Sequence, residues 1–493
     1  MKQVLRWLAL SAALLAPTAA MAAGKVTIAT VYDVAYPLKA IAYPGYAFYP
    51  ATFDGLTEIG PDGVLSPALA VSWRQEGTAG WVFEIRPNVT FANGEPLDAA
   101  AVAATIDHVL GPGALQASAR REIASIARTE VRGPLTLALM TKTPDLMLPR
   151  KLVSIKILPP KYLADGGVEG FNKQPYGTGP FVETSRTPAR ITLKANPHAW
   201  RPPHVSELTV VKLPDNTSRL QALAARLADI ALDIPVDAVA LLEEAGGRAV
   251  PWSTGSVDVI QFNTSRDSPL RDPRVRRALN YAVDKQRIVD GLLHGIPRVA
   301  TQFANKGSFG YDETLTQPFP YDPAKAKALL AEAGYPNGFD LPIELMASVI
   351  TSPYEQVAAD LAEVGVRVTL TTISVMTYSA HYYQNTWKGL AFYGGYNAAP
   401  SMDALAPLKL HSCLWQNPWY CDHEIAARIT AADASASEPE RLQMTRDLMR
   451  RLNADPPAIL LYEGFKITGL GPRVKTFAAP NGYVRYQELE TID

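Results

Sequence analysis

Three groups of residues have the types and spacing to do chemistry. The first is Arg150 in LMLPRKLVSIKILPP, a cation set between Pro149 and Leu152 in an otherwise apolar run. An arginine among apolar neighbours needs an acidic partner or an anionic ligand, because an unpaired buried charge is costly. A fixed ion pair and an anion site are both open at this point. The second group is aromatic: Tyr32, Tyr36, Tyr43, Tyr46, Phe48 and Tyr49 crowd one segment broken by Pro and Gly. Such rings suit a ligand cleft, offering stacking faces and hydroxyls at low entropy cost. One or two of them, Tyr46 included, are expected to face a ligand, and the rest to pack on the first helix. The third group is HSCLWQNPWYCDH, which holds both cysteines of the chain, Cys413 and Cys421, between His411 and His423. In an oxidising compartment two cysteines this close form a small-loop disulfide, worth roughly 2–3 kcal/mol in the chain-entropy model. The four residues also resemble a zinc ligand set, but one-residue His-x-Cys spacing is not a zinc-site pattern. The expectation is the disulfide. Arg120, beside Arg121 in a polar helical stretch, is a further candidate contact for a ligand.

Nothing comparable points to catalysis. The chain has no His-Glu-x-x-His, no Gly-x-Ser-x-Gly, no Walker loop and no Cys-x-x-Cys pair. Gly177-Thr178-Gly179-Pro180 lacks the spacing of either glycine-rich phosphate fingerprint. No resident cofactor is expected. The formal charge of −1 gives no electrostatic argument for nucleic acid or an anionic membrane. A binding protein is the expectation. A secreted hydrolase such as a glycosidase, or a non-transport receptor, stands as the alternative from a different class.

The N-terminus reads as an address. Lys2 and Arg6 form a basic region, and the run to Ala16 is apolar but too short to span a bilayer. Ala20-Met21-Ala22 places small residues at the recognition positions, so cleavage is expected after Ala22, with no nearby cysteine for a lipid anchor. A soluble, monomeric, periplasmic protein is the expectation.

The elements that must position these residues follow from periodicity and caps. At 493 residues the chain exceeds the usual single-core size, so two or three domains are expected. Strand patterns cover Val26–Thr30, Trp81–Ile85, Leu135–Met140, Leu208–Leu213, Leu341–Met346, Val366–Thr371, Leu390–Tyr393 and Ala458–Tyr462. Between them lie helical patterns at 99–110, 215–229, 353–364 and 438–452. Strand–helix–strand succession of this kind indicates a parallel α/β arrangement. The most informative stretch is Asn263–Leu293. There Asp272 and Pro273 open a helix whose apolar stripe is Val275, Ala278, Leu279 and Ala282. Arg274, Arg276 and Arg277 fall largely outside that stripe. Asp284 offers a second cap, and Asp322-Pro323 repeats the device ahead of Ala326, Leu329, Leu330 and Ala333.

That stretch, FNTSRDSPLRDPRVRRALNYAVDKQRIV, closely resembles the solute-binding proteins of the peptide/nickel family of ABC importers. Four more stretches agree in the family's order: FDGLTEIGPDGVLSPALAVSW, WVFEIRPNVTFANGEPLDAAAV, PYGTGPFVETS at Pro175–Ser185 and YDPAKAKALLAEAGYPNGF at Tyr321–Phe339. The resemblance implies an α/β, periplasmic-binding-protein-like fold, with two lobes joined by hinge crossings and a smaller inserted domain. It implies boundaries too: signal peptide 1–22, first lobe 23–54, 181–268 and 464–493, small domain 55–180, second lobe 269–463. The crossings are then expected near Pro269 and Glu463. It also implies a small-molecule ligand enclosed between closing lobes, and a permease in the inner membrane as partner. Peptide carriers of the family place an Asp four residues before a proline in the loop after Leu390–Tyr393, to meet the peptide's ammonium group. Here that count falls on Tyr396, and Asn397, Ala398 and Ala399 add no charge. The resemblance to the nickel-type branch implies instead that Arg150 meets the carboxylates of an organic metal chelator. It places His411 near a metal through the chelate only. Aromatic walls then come from Tyr393, Tyr396 and Trp415, with Asn397 beside them; Tyr393 or Gly394 stands where that branch has a tryptophan.

Overall fold

The computed structural model describes residues 24–32 and 43–492, with side chains at all of these except 43–47, 117 and 118. The segment read as a signal peptide therefore lies outside the described residues. One ten-stranded sheet runs through both halves of the molecule. At its first end β1 (Lys25–Thr30) lies parallel to β10 (Glu207–Lys212), which continues antiparallel to β9 (Arg190–Ala195) and then β8 (Phe181–Thr187). The short β11 (Ile230–Ala231) pairs β1 on its other side. The core here contains Val26, Ile28, Phe181 and Leu208, and residues from the far end of the chain, Leu470, Val484 and Tyr486, pack into it.

Between β1 and β8 the chain makes a separate body. Its antiparallel sheet has the order β4 (Ala70–Gln75), β5 (Gly80–Ile85), β7 (Thr136–Thr141), β6 (Ile126–Gly133), with the hairpin of β2 (Thr57–Ile59) and β3 (Leu65–Pro67) beside it. The helix Ala99–Leu110 starts where Asp98 accepts from the Ala101 amide at 2.8 Å, and its apolar face joins a core running from Leu56 to Ile157. This core is contiguous within the body, which is what lets it stand apart from the large sheet.

At the other end of the large sheet β13 (Asp340–Met346) pairs in parallel with β14 (Arg367–Ile373) and β15 (Ala391–Asn397). The capped helix appears at Pro273–Ala282. Asp272 accepts from the Arg274 amide, and Val275, Ala278, Leu279 and Ala282 are all fully buried. Burying each of the larger side chains of that stripe is worth about 1.5–3 kcal/mol. Arg276 departs from the expectation that it lies outside the buried face. It is 5% exposed, donates to the carbonyls of Leu270, Arg271 and Pro456, and pairs with Asp455. The stripe was read from apolar residues alone, and a buried arginine satisfied by carbonyls leaves no trace in that pattern. Asn280 bonds the Ala458 carbonyl and the Leu460 amide, so this helix is tied to the next crossing strand by polar as well as apolar contacts.

Two long strands join the ends, β12 (Arg248–Phe262) and β16 (Ala458–Leu470). Residues 248–253 of β12 pair with 465–470 of β16, and residues 257–261 pair with 458–463, with a register shift between the two blocks. In that gap Gly255 has φ +75, and Gly464 lies so close to Thr254 and Ser256 that a Cβ would sit 2.1 Å from the Ser256 Oγ. β12 is thus irregular at 253–257, with a further register shift between Asp258 and Val259. Pro269 opens a short turn whose Leu270 shares a core with Ile260 and Phe262. In β16 the irregularity spans Glu463 to Phe465.

Candidate ligand-binding site

Arg150 stands on a short helical turn, Leu148–Lys151, with Leu148, Pro149 and Leu152 buried around it. Its Nη1 donates to the carbonyl of Gly63 at 2.9 Å and to that of Ser401 at 3.3 Å. Gly63 belongs to the turn between β2 and β3, and Ser401 to the loop after β15, so one guanidinium bridges the small body and the far lobe. The Phe309 ring lies 5.7 Å away. Burial lowers the Arg150 pKa, and the charges of Asp403 and Glu438 oppose that shift. Among the described residues Arg150 makes no ion pair, and its Nε and Nη2 make no hydrogen bond. The nearby acid, Asp403, is taken by Arg441 at 2.8 Å in a buried bidentate pair. Asp403 therefore cannot substitute for the missing loop acid while that pair stands.

The seam around Arg150 continues in apolar contacts. Ile59, Val153 and Met402 are buried together, flanked by Leu65, Ala399 and Tyr483, and Asn481 donates to the Gly60 carbonyl.

Strand alternation sorts the aromatic candidates. On β15 Phe392, Gly394 and Tyr396 face one core, and Tyr393 faces the other side. Tyr396 is 0% exposed, stacked on His411 at 4.2 Å with Phe303 at 4.9 Å. His411 is itself buried, with Nδ1 3.2 Å from Gln261 Oε1, and burial pushes its pKa down to about 3. This structure therefore puts both Tyr396 and His411 inside the second lobe, where burial favours the neutral imidazole. Tyr393 is half-buried, and the Trp415 ring lies tilted 6.0 Å from Tyr382 and 5.8 Å from Tyr383. Asn397 is exposed and accepts from the Ala399 amide. Arg120 donates to the carbonyls of Val109 and Gly111, closing the C-terminal end of the helix Ala99–Leu110, where a cation meets the helix dipole. The Tyr46 side chain lies outside the described residues. Cys413 and Cys421 are joined, with His423 Nε2 3.9 Å from the Cys421 sulfur. Among the described residues only His423 lies near the two cysteines, whose sulfurs are taken by the disulfide, and His411 is not grouped with them.

The sequence reading passes over Asp258. It sits on β12 opposite Gly395 of β15 and Tyr462 of β16, between the two register shifts of that strand. The signal available was one acid inside VDVIQF, a run otherwise suited to a buried strand. Around it stand Tyr354, Tyr378, Tyr393 and Tyr462. The Asp258 charge is the leading cause that holds the Tyr393 phenol well above its usual range, and it acts on the other three behind burial. This group lies at the carboxyl ends of β13 and β15, where ligands bind in open α/β sheets.

Residues 64–413 match the family model described as bacterial extracellular solute-binding proteins, family 5 Middle. The chain belongs to the family 5 solute-binding proteins. It is 30% identical over 349 residues to the nickel-binding periplasmic protein of Escherichia coli K12, covering 64% of this chain and 65% of that one. It is 30% identical over 335 residues to heme-binding protein A of Haemophilus influenzae, covering 65% of this chain and 60% of that one. These matches span less than two thirds of each relative's length. The solved structure of HbpA2 from Haemophilus parasuis superposes with a TM-score of 0.80 at 23% identity, covering 95% of this chain and 100% of that one. The fold is accordingly the two-lobed α/β fold of family 5 proteins. Among the described residues no helix is long and apolar enough to cross a membrane.

Proposed function

We infer that this family 5 chain is the solute-binding component of an ABC importer. Exported to the periplasm after cleavage near Ala22, it works as a monomer without chemistry or a resident cofactor. It captures a small peptide-like, anionic or metal-chelate ligand between its lobes and presents the closed form to a permease in the inner membrane. The observation that supports this most is Arg150 at the seam. A cation with unspent donors, held by one carbonyl from each side, suits an anionic group entering between two bodies. Tyr393 and Trp415 supply aromatic surface, with Tyr396 and His411 packed behind as backing. The two crossing strands, irregular at 253–257 and 463–465, serve as the hinge. Closure draws its free energy from contacts made in the closed state alone, since equal binding to both states shifts nothing.

The test is to identify, by native mass spectrometry and metal analysis, what co-purifies with the protein. That molecule is then returned to ligand-free protein. A ligand at 100 times its Kd adds about 2.7 kcal/mol to stability and raises the melting temperature. The ligand is expected back unchanged, and Arg150→Ala is expected to weaken its binding by roughly 2–5 kcal/mol while leaving the fold intact. A chemically converted ligand overturns the transport reading. Normal binding by Arg150→Ala overturns the role of Arg150.

A further inference from the structure

Deeply placed carboxylates in this molecule are paired: Asp403 with Arg441, Asp360 with Arg287, Asp312 with Arg450. Asp258 on β12 is unlike these three. It has no hydrogen-bond or ion-pair partner among the described residues. The cation that acts on it from a distance, Lys466, is committed to Asp233 at 2.8 Å and to the Tyr32 hydroxyl at 2.9 Å. The residue is half-buried, so it is not sealed from solvent. The carboxylate lies over Gly395, with Oδ1 3.9 Å from where a Cβ would stand.

The phenols around it do not neutralise it. Tyr378 donates to the Tyr393 carbonyl at 2.8 Å, and the Tyr354 and Tyr462 hydroxyls bond each other. An anion enclosed by aromatic faces, which are themselves electron-rich, is suited to a cation. The loop after β15 offers no competing acid, since Asp403 is held by Arg441.

We propose that Asp258 is the cation-recognising group of the inter-lobe site, taking a protonated amine or guanidinium of the ligand against Tyr393 and Tyr378. This rests on the solute-binding reading and narrows it: the ligand carries a cationic group, as amino-acid and peptide-like molecules do, and is not a purely anionic chelate.

The experiment measures binding by calorimetry and thermal shift for wild type, Asp258→Asn and Asp258→Glu. The probes are the dipeptides Met-Leu and Ala-Lys, L-arginine and agmatine, each beside its N-acetylated form, with citrate and nickel citrate as probes lacking an amine. A free-amine probe is expected to bind wild type and its acetylated form to bind far more weakly. Asp258→Asn is expected to lose about thirtyfold or more in affinity for that probe, and to melt no lower than wild type. The proposal is overturned if Asp258→Asn binds within threefold of wild type, or if citrate-type probes bind and amines do not. Either result leaves the solute-binding reading standing. If neither the probes nor any co-purified molecule binds wild type, that reading fails and takes this proposal with it. Should Asp258→Asn not fold, the wild-type comparison decides alone: equal affinity for free and acetylated probes overturns the assignment.

Discussion

His411 and Asp258 titrate against the fold in opposite senses. Burial holds the folded His411 at about 3, below an unfolded value near 6.5, so its contribution is complete above pH 6.5 and is lost as pH falls toward 3. Burial raises the folded Asp258 to about 7 against an unfolded value near 3.9, so its cost is absent in acid and grows as pH rises to 7. The groups facing Asp258 are Tyr354, Tyr378, Tyr393 and Tyr462, all neutral through that window, and Lys466, whose charge opposes the shift. In ligand-free protein Asp258→Asn is therefore expected to raise the melting temperature at pH 8 and to change it little at pH 4. Scanning calorimetry at the two pH values checks this, and an equal effect at both would remove the charge as its cause. At this scale the sequence shows which residues need partners but not which partners they find. Arg150 was legible as a cation in apolar company. That its partners are the carbonyls of Gly63 and Ser401, and that Asp403 goes to Arg441 instead, depends on loops brought together by the fold.

The helix Pro273–Ala282 shows what an element reveals in advance. Its cap and stripe are local, set by residues within four positions of one another, and the structure has both. Its arginines are not equivalent, and that is set by distant chain. Arg274 pairs with Asp272 at the surface, while Arg276 is enclosed against Asp455 and three carbonyls. Exposed pairs contribute about 0–1 kcal/mol, whereas removing one partner of a buried pair costs about 3–5 kcal/mol. Urea unfolding should then show Arg274→Ala within about 1 kcal/mol of wild type. Asp272→Ala should cost roughly 0.5–2 kcal/mol through the lost cap, and Arg276→Ala the most. A ranking with Arg274 above Arg276 would contradict the packing. The strand β12 marks the limit of such reading. The run VIQF within it suits a buried strand by composition, but the strand begins eleven residues before Val259, at Arg248, and its two blocks of pairing with β16 are fixed by residues about two hundred positions away.

At the scale of the molecule, the two halves meet in contacts that can open without breaching any lobe's own core. Among the described residues the seam includes Arg150 between Gly63 and Ser401 and the Ile59–Val153–Met402 cluster. Met402 is 0% exposed there, yet it belongs to a loop after β15 and not to the cores on either face of the second-lobe sheet. Truncating a buried methionine inside a fixed core costs about 2–5 kcal/mol of global stability. At a seam between moving bodies the same change acts instead on the open–closed equilibrium, and every 1.4 kcal/mol shifts that ratio tenfold. Met402→Ala is therefore expected to enlarge the radius of gyration of ligand-free protein in small-angle X-ray scattering. It should weaken apparent ligand affinity in proportion to the lost closed fraction, and return to the wild-type radius when the co-purifying ligand is saturating. The same excess of ligand then stabilises the mutant by less than wild type, because its apparent Kd is larger, so it is the ligand-free radius, not the melting temperature, that separates this from core damage. An unchanged radius combined with a lowered melting temperature would place Met402 in a rigid core, and the lobes would have to close elsewhere.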